Sequence, residues 1–277
     1  MSETDPGIFA LEWFDNRFSQ VKTEVSRLFT EFKISEALKS IYSLFWDDFC
    51  SWYLEWVKPG FDQPMNPGLY DKTISFFEDL LLWLHPFMPF VTEEIYHLLR
   101  ERKPNDDLCL IQLAPENMYN PSVLEVGEKL RLFLTMGREF RQQQQLKNSE
   151  AITRLFIPKE IFGERESLYS IIRKQLNCTK IEYKDGSYTS DPGIQVIPFH
   201  SYQIGFESPK KLDDSKRKVE LEKELIYYRG FLESLNKKLS NERFVLNAKP
   251  EVIDLEKKKK ADTEEKIAAI LLTLKQA

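Results

Sequence analysis

Cysteine is scarce in this chain, and what little there is excludes two readings. Cys50, Cys109 and Cys178 lie far apart and are odd in number, so neither a disulfide framework nor a C-x-x-C metal knuckle can be drawn. The three histidines, His85, His97 and His200, include no i, i+4 pair, so no zinc or other metal site is expected. There is no glycine-rich phosphate loop, no G-x-S-x-G elbow and no H-E-x-x-H helix, so no catalytic residue is expected here. Ten glycines and 14 prolines in 277 residues are few, which favours helices over a many-turned β architecture. Apolar residues never run uninterrupted for the roughly 18 that a membrane span requires. No charged-then-apolar segment opens the chain, so a cytoplasmic location is expected.

Apolar residues make up 42% of the chain and include 20 Phe, 11 Tyr and 5 Trp, enough for at least one substantial core. The net charge of −5 argues against indiscriminate polyanion binding, and no DNA partner is expected. The charge is uneven, however. Residues 208–277 hold 17 Lys and Arg against 13 Asp and Glu, a balance of +4, whereas residues 1–207 hold 22 against 31, or −9. A basic tail on an acidic body points to a localised contact with a polyanion, although a solvated charged helix pair would look the same.

Helical periodicity dominates the first half. Ile8, Leu11, Phe14, Phe18, Val21, Val25, Leu28 and Phe29 mark one stripe; Ile41, Leu44, Phe45, Phe49, Trp52, Tyr53 and Trp56 mark a second. Ser35 suits an N-cap between them. The breakers Gly60, Pro64, Pro67 and Gly68 end the second helix. A third helix fits Tyr70 to Leu84. A fourth starts near Pro89, with Ile95, Leu98 and Leu99 as its buried edge. A fifth opens at Ser122 in an S-x-x-E box with Glu125 and continues through Leu130, Phe133, Met136 and Phe140. After Asn148 the texture changes to short β-leaning runs at Ile152 to Ile157, Thr179 to Tyr183, Gly193 to Ile197 and Tyr202 to Phe206, with a helix at Glu164 to Leu176.

The last segment carries a heptad. Leu221, Leu225, Tyr228, Leu232, Leu235 and Leu239 are separated by 4, 3, 4, 3 and 4 residues, the rhythm of a helix-packing seam. A polar break at Ser240-Asn241-Glu242 and Pro250 in the first turn of a returning helix predict an antiparallel hairpin. Ile267, Ile270, Leu271 and Leu274 supply its later apolar edge, but Glu256 to Lys260 offers no evident seam residue.

The concentrated chemistry is aromatic. Phe45-Trp46, Phe49, Trp52-Tyr53 and Trp56 crowd one helix beside Lys58, more rings than one stripe needs. Exposed rings beside cations give unpaired bases a π face and a phosphate partner, worth about 1–3 kcal/mol per stacked base. Aromatic stripes in helical bundles are usually core, however, and on these residues alone that reading comes first. Adjacent carboxylates such as Asp47-Asp48 point apart on a helix and need not share a site.

A-L-K-S-I-Y-S-L-F-W-D-D-F-C-S-W-Y-L-E-W-V-K-P (37–59), followed by L-L-W-L-H-P-F-M-P-F-V-T-E-E-I-Y-H-L-L (81–99), resembles the anticodon-binding helical domain of the valine, isoleucine and leucine class I tRNA synthetases. L-N-K-K-L-S-N-E-R-F-V-L-N-A-K-P-E-V-I (235–253) resembles the C-terminal arm of the valine enzymes in particular. The resemblance spans about residue 8 to the C-terminus and is weakest over 148–207. It implies a mainly α fold: a helical bundle of the class I synthetase anticodon-binding type over 8–147, a small α/β insert over 148–207, and an antiparallel coiled-coil arm over 208–277. It implies a monomer that holds valine tRNA, the bundle at the anticodon and the arm at the outer corner where the D and T loops meet. The ATP-using aminoacylation and editing domains of the family have no counterpart in these residues, so the chain alone is expected to be inactive and to hold no cofactor. Candidates for the anticodon are Trp52, Tyr53, Lys58, Arg138 and Arg141. Candidates for the outer corner are Lys216, Arg217, Lys218, Arg229, Lys237, Lys238 and Arg243. The same region of an isoleucine or leucine ligase, or a coiled-coil module that docks a protein partner, are the alternatives.

Overall fold

The computed structural model describes residues 5–60, 62–112, 118–186, 188, 193–209, 214–240 and 250–276. They divide into two compact units. The first comprises Met1–Leu132 with Arg165–Ile171, the second Phe133–Glu164 with Ile172–Ala277.

In the first unit, α1 (Pro6–Thr30) starts where local chemistry tells it to. Pro6 occupies the first turn and the Asp5 side chain accepts from the Gly7 N–H at 2.8 Å. The second helix begins at Ile34 behind Lys33, which makes no side-chain cap, so the expected cap at Ser35 is not formed. It reads continuously as α2 (Ile34–Ser43), a π-helical segment (Leu44–Tyr53) and α3 (Leu54–Val57). Pro67, expected among the breakers, is instead the first residue of α4 (Pro67–Leu84), capped by the Asn66 side chain on the Leu69 N–H. α5 (Pro89–Leu99) follows the His85-Pro86 stop. Its inward residues are Thr92 and Tyr96, while Leu98, expected on the buried edge, is 75% exposed.

α6 (Pro121–Gln143) opens at Pro121. The Asn120 side-chain oxygen Oδ1 accepts from the Ser122 N–H at 3.0 Å, so Asn120 and not Ser122 closes this end. Gly127 is required where α6 meets α1: a Cβ there would lie 2.1 Å from Trp13 Cδ1.

The core of this unit is aromatic. Phe14 packs against Phe49, Tyr53 and Phe76 at ring-centroid distances of 5.2, 5.0 and 4.9 Å, and Trp13 lies 4.6 Å from Trp56. Tilted and edge-on pairs of this kind add about 0.5–1.5 kcal/mol each beyond the area they bury.

The second unit is built on a sheet of β1 (Ile152–Pro158), β2 (Cys178–Lys184), β3 (Ile194–Phe199) and β4 (Tyr202–Glu207), in the order β2-β1-β4-β3. β1 and β2 are parallel, joined through α7 (Lys159–Phe162) and α8 (Glu166–Gln175); β4 pairs antiparallel with both β1 and β3. The C-terminal half of α6 lies on this sheet, with Phe140 4.5 Å from Phe206 and Phe133 5.3 Å from Phe199. Gly137 permits that approach, since a Cβ would meet Leu176 Cδ1 at 2.4 Å.

α9 (Asp214–Leu239) and α10 (Pro250–Gln276) pack antiparallel. Leu221 and Leu225 cluster with Ile270, Tyr228 meets Lys266, and Lys238 meets Glu256. Among the described side chains of α10, Ile253, Glu256, Lys260, Thr263, Ile267, Ile270 and Leu274 form an inward row spaced 3, 4, 3, 4, 3 and 4, with Leu271 beside it. The stretch Glu256 to Lys260 therefore has a seam residue after all, in polar disguise: Glu256 is buried, as is Thr263 two turns on. The expected break at Ser240-Asn241-Glu242 lies mostly outside the described residues.

Candidate nucleic-acid interface

The π-helical segment decides which rings of the aromatic helix are available. Its hydrogen bonds reach five residues back, as where the Leu54 N–H donates to the Phe49 carbonyl, and residues four apart come into line. Phe49 and Tyr53 consequently stack at 5.4 Å, and both are sealed inside. Tyr53 is thus a correction to the expected site. Its ring is fully buried, its hydroxyl lies 2.7 Å from Thr73 Oγ1, and burial pushes the phenol up to about 12. A base cannot stack on it.

Trp52 is half-buried, with the Arg131 guanidinium 5.2 Å from its ring. Arg131 is itself held by Asp48, a buried carboxylate bracketed by Arg131 at 3.0 Å and Arg17 at 2.8 Å. Trp52 and its cation are therefore a positioned pair. The rings of this helix that face solvent are Tyr42 and Trp46, 59% and 56% exposed. Lys58 is exposed and lies 3.4 Å from Glu55.

Arg138 and Arg141 belong to the second unit. Arg138 donates to the Gln175 side chain at 2.9 Å; Arg141 donates to the carbonyls of Leu176 and Lys147 at 3.0 and 2.7 Å. Arg141 therefore fastens the end of α6 to the neighbouring turns, the work of a structural clamp more than of a phosphate ligand.

On the arm, Lys237 is paired with Glu233 at 2.7 Å and Lys238 with Glu256 at 3.2 Å. Arg229 is exposed on α9. Lys216, Arg217 and Lys218 fall on the first turns of α9, with side chains outside the described residues, as is Arg243 altogether.

Sequence reasoning missed two groups of exposed rings. Tyr227 and Phe231 stand one turn apart on α9 with parallel rings, 6.5 Å between centroids and 1° between planes. Tyr227 is 67% exposed, Ile226 beside it is 71% exposed, and Lys223 stands exposed one turn earlier. The available signal was apolar residues off the heptad rhythm, which a seam does not need. The second group lies at one end of the bundle. Phe32, in a left-handed conformation (φ 57°), and Phe90 are 88% and 90% exposed. Each follows by three residues a member of the Phe29–Phe87 pair, whose ring centroids lie 6.1 Å apart. Flat rings held open beside cations are what splayed bases stack on.

For other chemistry the described residues offer less. Burial pushes the Cys178 thiol up to about 11, far from a reactive thiolate. Glu93, His97 and Asp107 bring three metal-ligating atoms within 4.8 Å of one another. No i, i+4 histidine pair marks them in sequence, because two are carboxylates and Asp107 is ten residues from His97. No helix among the described residues is long and apolar enough to cross a membrane.

Comparison with known sequences agrees with this architecture. The family described as the anticodon-binding domain of tRNA ligase matches residues 12–157, just over half the chain. The valyl tRNA synthetase tRNA binding arm matches residues 213–276, nearly the whole of the helical hairpin. Valine–tRNA ligases are among the relatives: that of Bacteroides fragilis is 37% identical over 97% of this chain, that of Phocaeicola vulgatus 36% over 94%, and that of Borreliella burgdorferi 30% over 90%. The chain spans about 30% of the length of these relatives. By its bundle this chain belongs to the anticodon-binding domain family of tRNA ligases, and its hairpin matches the valyl tRNA synthetase tRNA binding arm.

Proposed function

We propose that this chain is the tRNA-holding portion of a valine–tRNA ligase, an enzyme that attaches valine to its tRNA with ATP. The observation that carries the reading is the order of two matches along one chain, an anticodon-binding domain and then a valyl-type arm, within relatives that align across nearly all of it. The partner is valine tRNA, bound by a monomer in the cytoplasm. The bundle contributes at the anticodon through Trp52, Lys58 and the exposed rings Phe32 and Phe90. The coiled-coil arm meets the outer corner through Tyr227, Phe231 and the basic residues Arg229, Lys237, Lys216, Arg217, Lys218 and Arg243. The three segments 8–147, 148–207 and 208–277 divide this labour. The reacting atoms lie outside this chain, which by itself does not activate valine.

The test is a binding assay with purified valine tRNA and with a valine tRNA whose anticodon has been exchanged. The chain binds the first more tightly, and affinity falls with salt as phosphate contacts release counterions. Equal affinity for both removes the anticodon role. Preference for isoleucine or leucine tRNA reassigns the substrate, and a stable dimer with no tRNA affinity favours a protein-docking module.

A further inference from the structure

We propose that Glu93, His97 and Asp107 form a site for one divalent cation of the zinc class, which fastens the segment after α5 back onto that helix. Glu93 and His97 are one turn apart on α5, and Asp107 lies at the end of the connection that leads to Leu108. The His97 Nε2 atom is 3.2 Å from Glu93 Oε1 and 3.0 Å from Asp107 Oδ1. A tetrahedral ion with bonds of about 2.0–2.2 Å holds its ligand atoms roughly 3.3–3.6 Å apart, close to these two spacings, and the two carboxylate oxygens lie within 4.8 Å of each other. The electrostatics point the same way. Two carboxylates face a single imidazole nitrogen, which in its neutral form carries one proton or one lone pair and cannot satisfy both. A cation with the lone pair of Nε2 as third ligand satisfies all three, and water completes the shell.

The surroundings support the carboxylate in that role. The Leu108 N–H donates to Glu93 Oε1 at 3.0 Å, an outer contact that orients the ligand. The His85 ring lies on its far side, with Nδ1 3.9 Å from Glu93 Oε2 and 2.9 Å from Thr92 Oγ1. Leu108 packs beneath with Leu81 and Tyr96, so the clip would sit over a small apolar cluster. The donor set, one imidazole with two carboxylates, suits zinc in preference to calcium or magnesium, which favour all-oxygen shells. Neither the anticodon contacts nor the arm uses these residues.

The experiment is a titration of the full chain with Zn²⁺ against a chromophoric chelator at pH 7.5, with thermal melting followed in parallel. The expected result is one equivalent bound and a Tm that rises with zinc. His97→Ala and Asp107→Asn each weaken binding at least tenfold and abolish the rise in Tm. Glu93→Gln provides a third variant should either of those fold poorly. A chain with Cys50, Cys109 and Cys178 all changed to Ser retains the site. Absence of saturable binding overturns the proposal. So does binding that survives both His97→Ala and Asp107→Asn, or that disappears with the cysteines, which would assign the metal to the thiols.

Discussion

The Lys238 ammonium on α9 lies 3.2 Å from the Glu256 carboxylate on α10, and that carboxylate is 5% exposed in the seam between the two helices. Lys259 reaches the same oxygen at 3.0 Å. Hydrogen bonds from Lys259 and then Lys238 hold the Glu256 carboxyl below its ordinary value. Because the folded value is the lower one, the stabilisation is present above the ordinary glutamate range and is lost as pH falls through the folded value. Thermal melts of the wild type and Glu256→Gln should therefore differ at pH 7 and converge in acid. Glu256→Leu, which completes the apolar seam and leaves two half-exposed lysines, should melt no lower than the wild type. A polar position in such a seam serves register more than strength.

Gly127→Ala should destabilise the first unit. The added Cβ, 2.1 Å from Trp13 Cδ1, forces α6 and α1 apart or drives Trp13 from its place beside Trp56. Overpacking of this kind costs about 1–3 kcal/mol, readable as a lower midpoint in urea with little change in slope.

Tyr53 should be silent in spectroscopic titration up to the pH at which the chain unfolds. Its phenol is raised to about 12 by burial, so it contributes stability that is fully present below pH ~10 and is lost as pH rises toward 12. Tyr53→Phe removes the hydrogen bond to Thr73, costs about 1 kcal/mol and flattens that alkaline loss. Its tRNA affinity should equal that of the wild type. A large drop in affinity with stability unchanged would show the ring is not a core residue.

Tyr227→Ala with Phe231→Ala tests the arm surface. Both rings point away from the seam, so the helix pair should keep its melting temperature. Loss of one stacked base costs about 1–3 kcal/mol, or roughly 5–150-fold in tRNA affinity. Unchanged affinity would take these rings out of the interface.

How much of this was legible depends on how local the determinants are. α1, the body of α4, α5 and the four strands were readable because apolar periodicity acts within a turn or two, although the start of α4 at Asn66-Pro67 was not. The heptad on α9 was readable for the same reason. The middle of the return helix was not, because Glu256 and Thr263 are polar and only the packed helix pair buries them, with Lys238 of the opposite helix beside Glu256. For the site, the sequence offered an expectation of rings beside cations and no means of telling which rings stay open. Nothing local distinguishes Tyr53 from Trp46; π-helical winding turns one ring into the core and leaves the other outside. Asp48, which its neighbour Asp47 did not mark out in sequence, is buried because Arg17 and Arg131 arrive from helices 31 and 83 residues away.

Helix content, the change to strands after residue 148, the basic hairpin and the family are properties of short-range pattern and of ordered motifs, and the amino-acid order carried them unaided. Which rings are open to solvent, which cations are already engaged and which carboxylates gather around His97 depend on partners distant in the chain. Those were decided only when the helices packed, because burial and pairing are properties of surfaces in contact and not of any one segment.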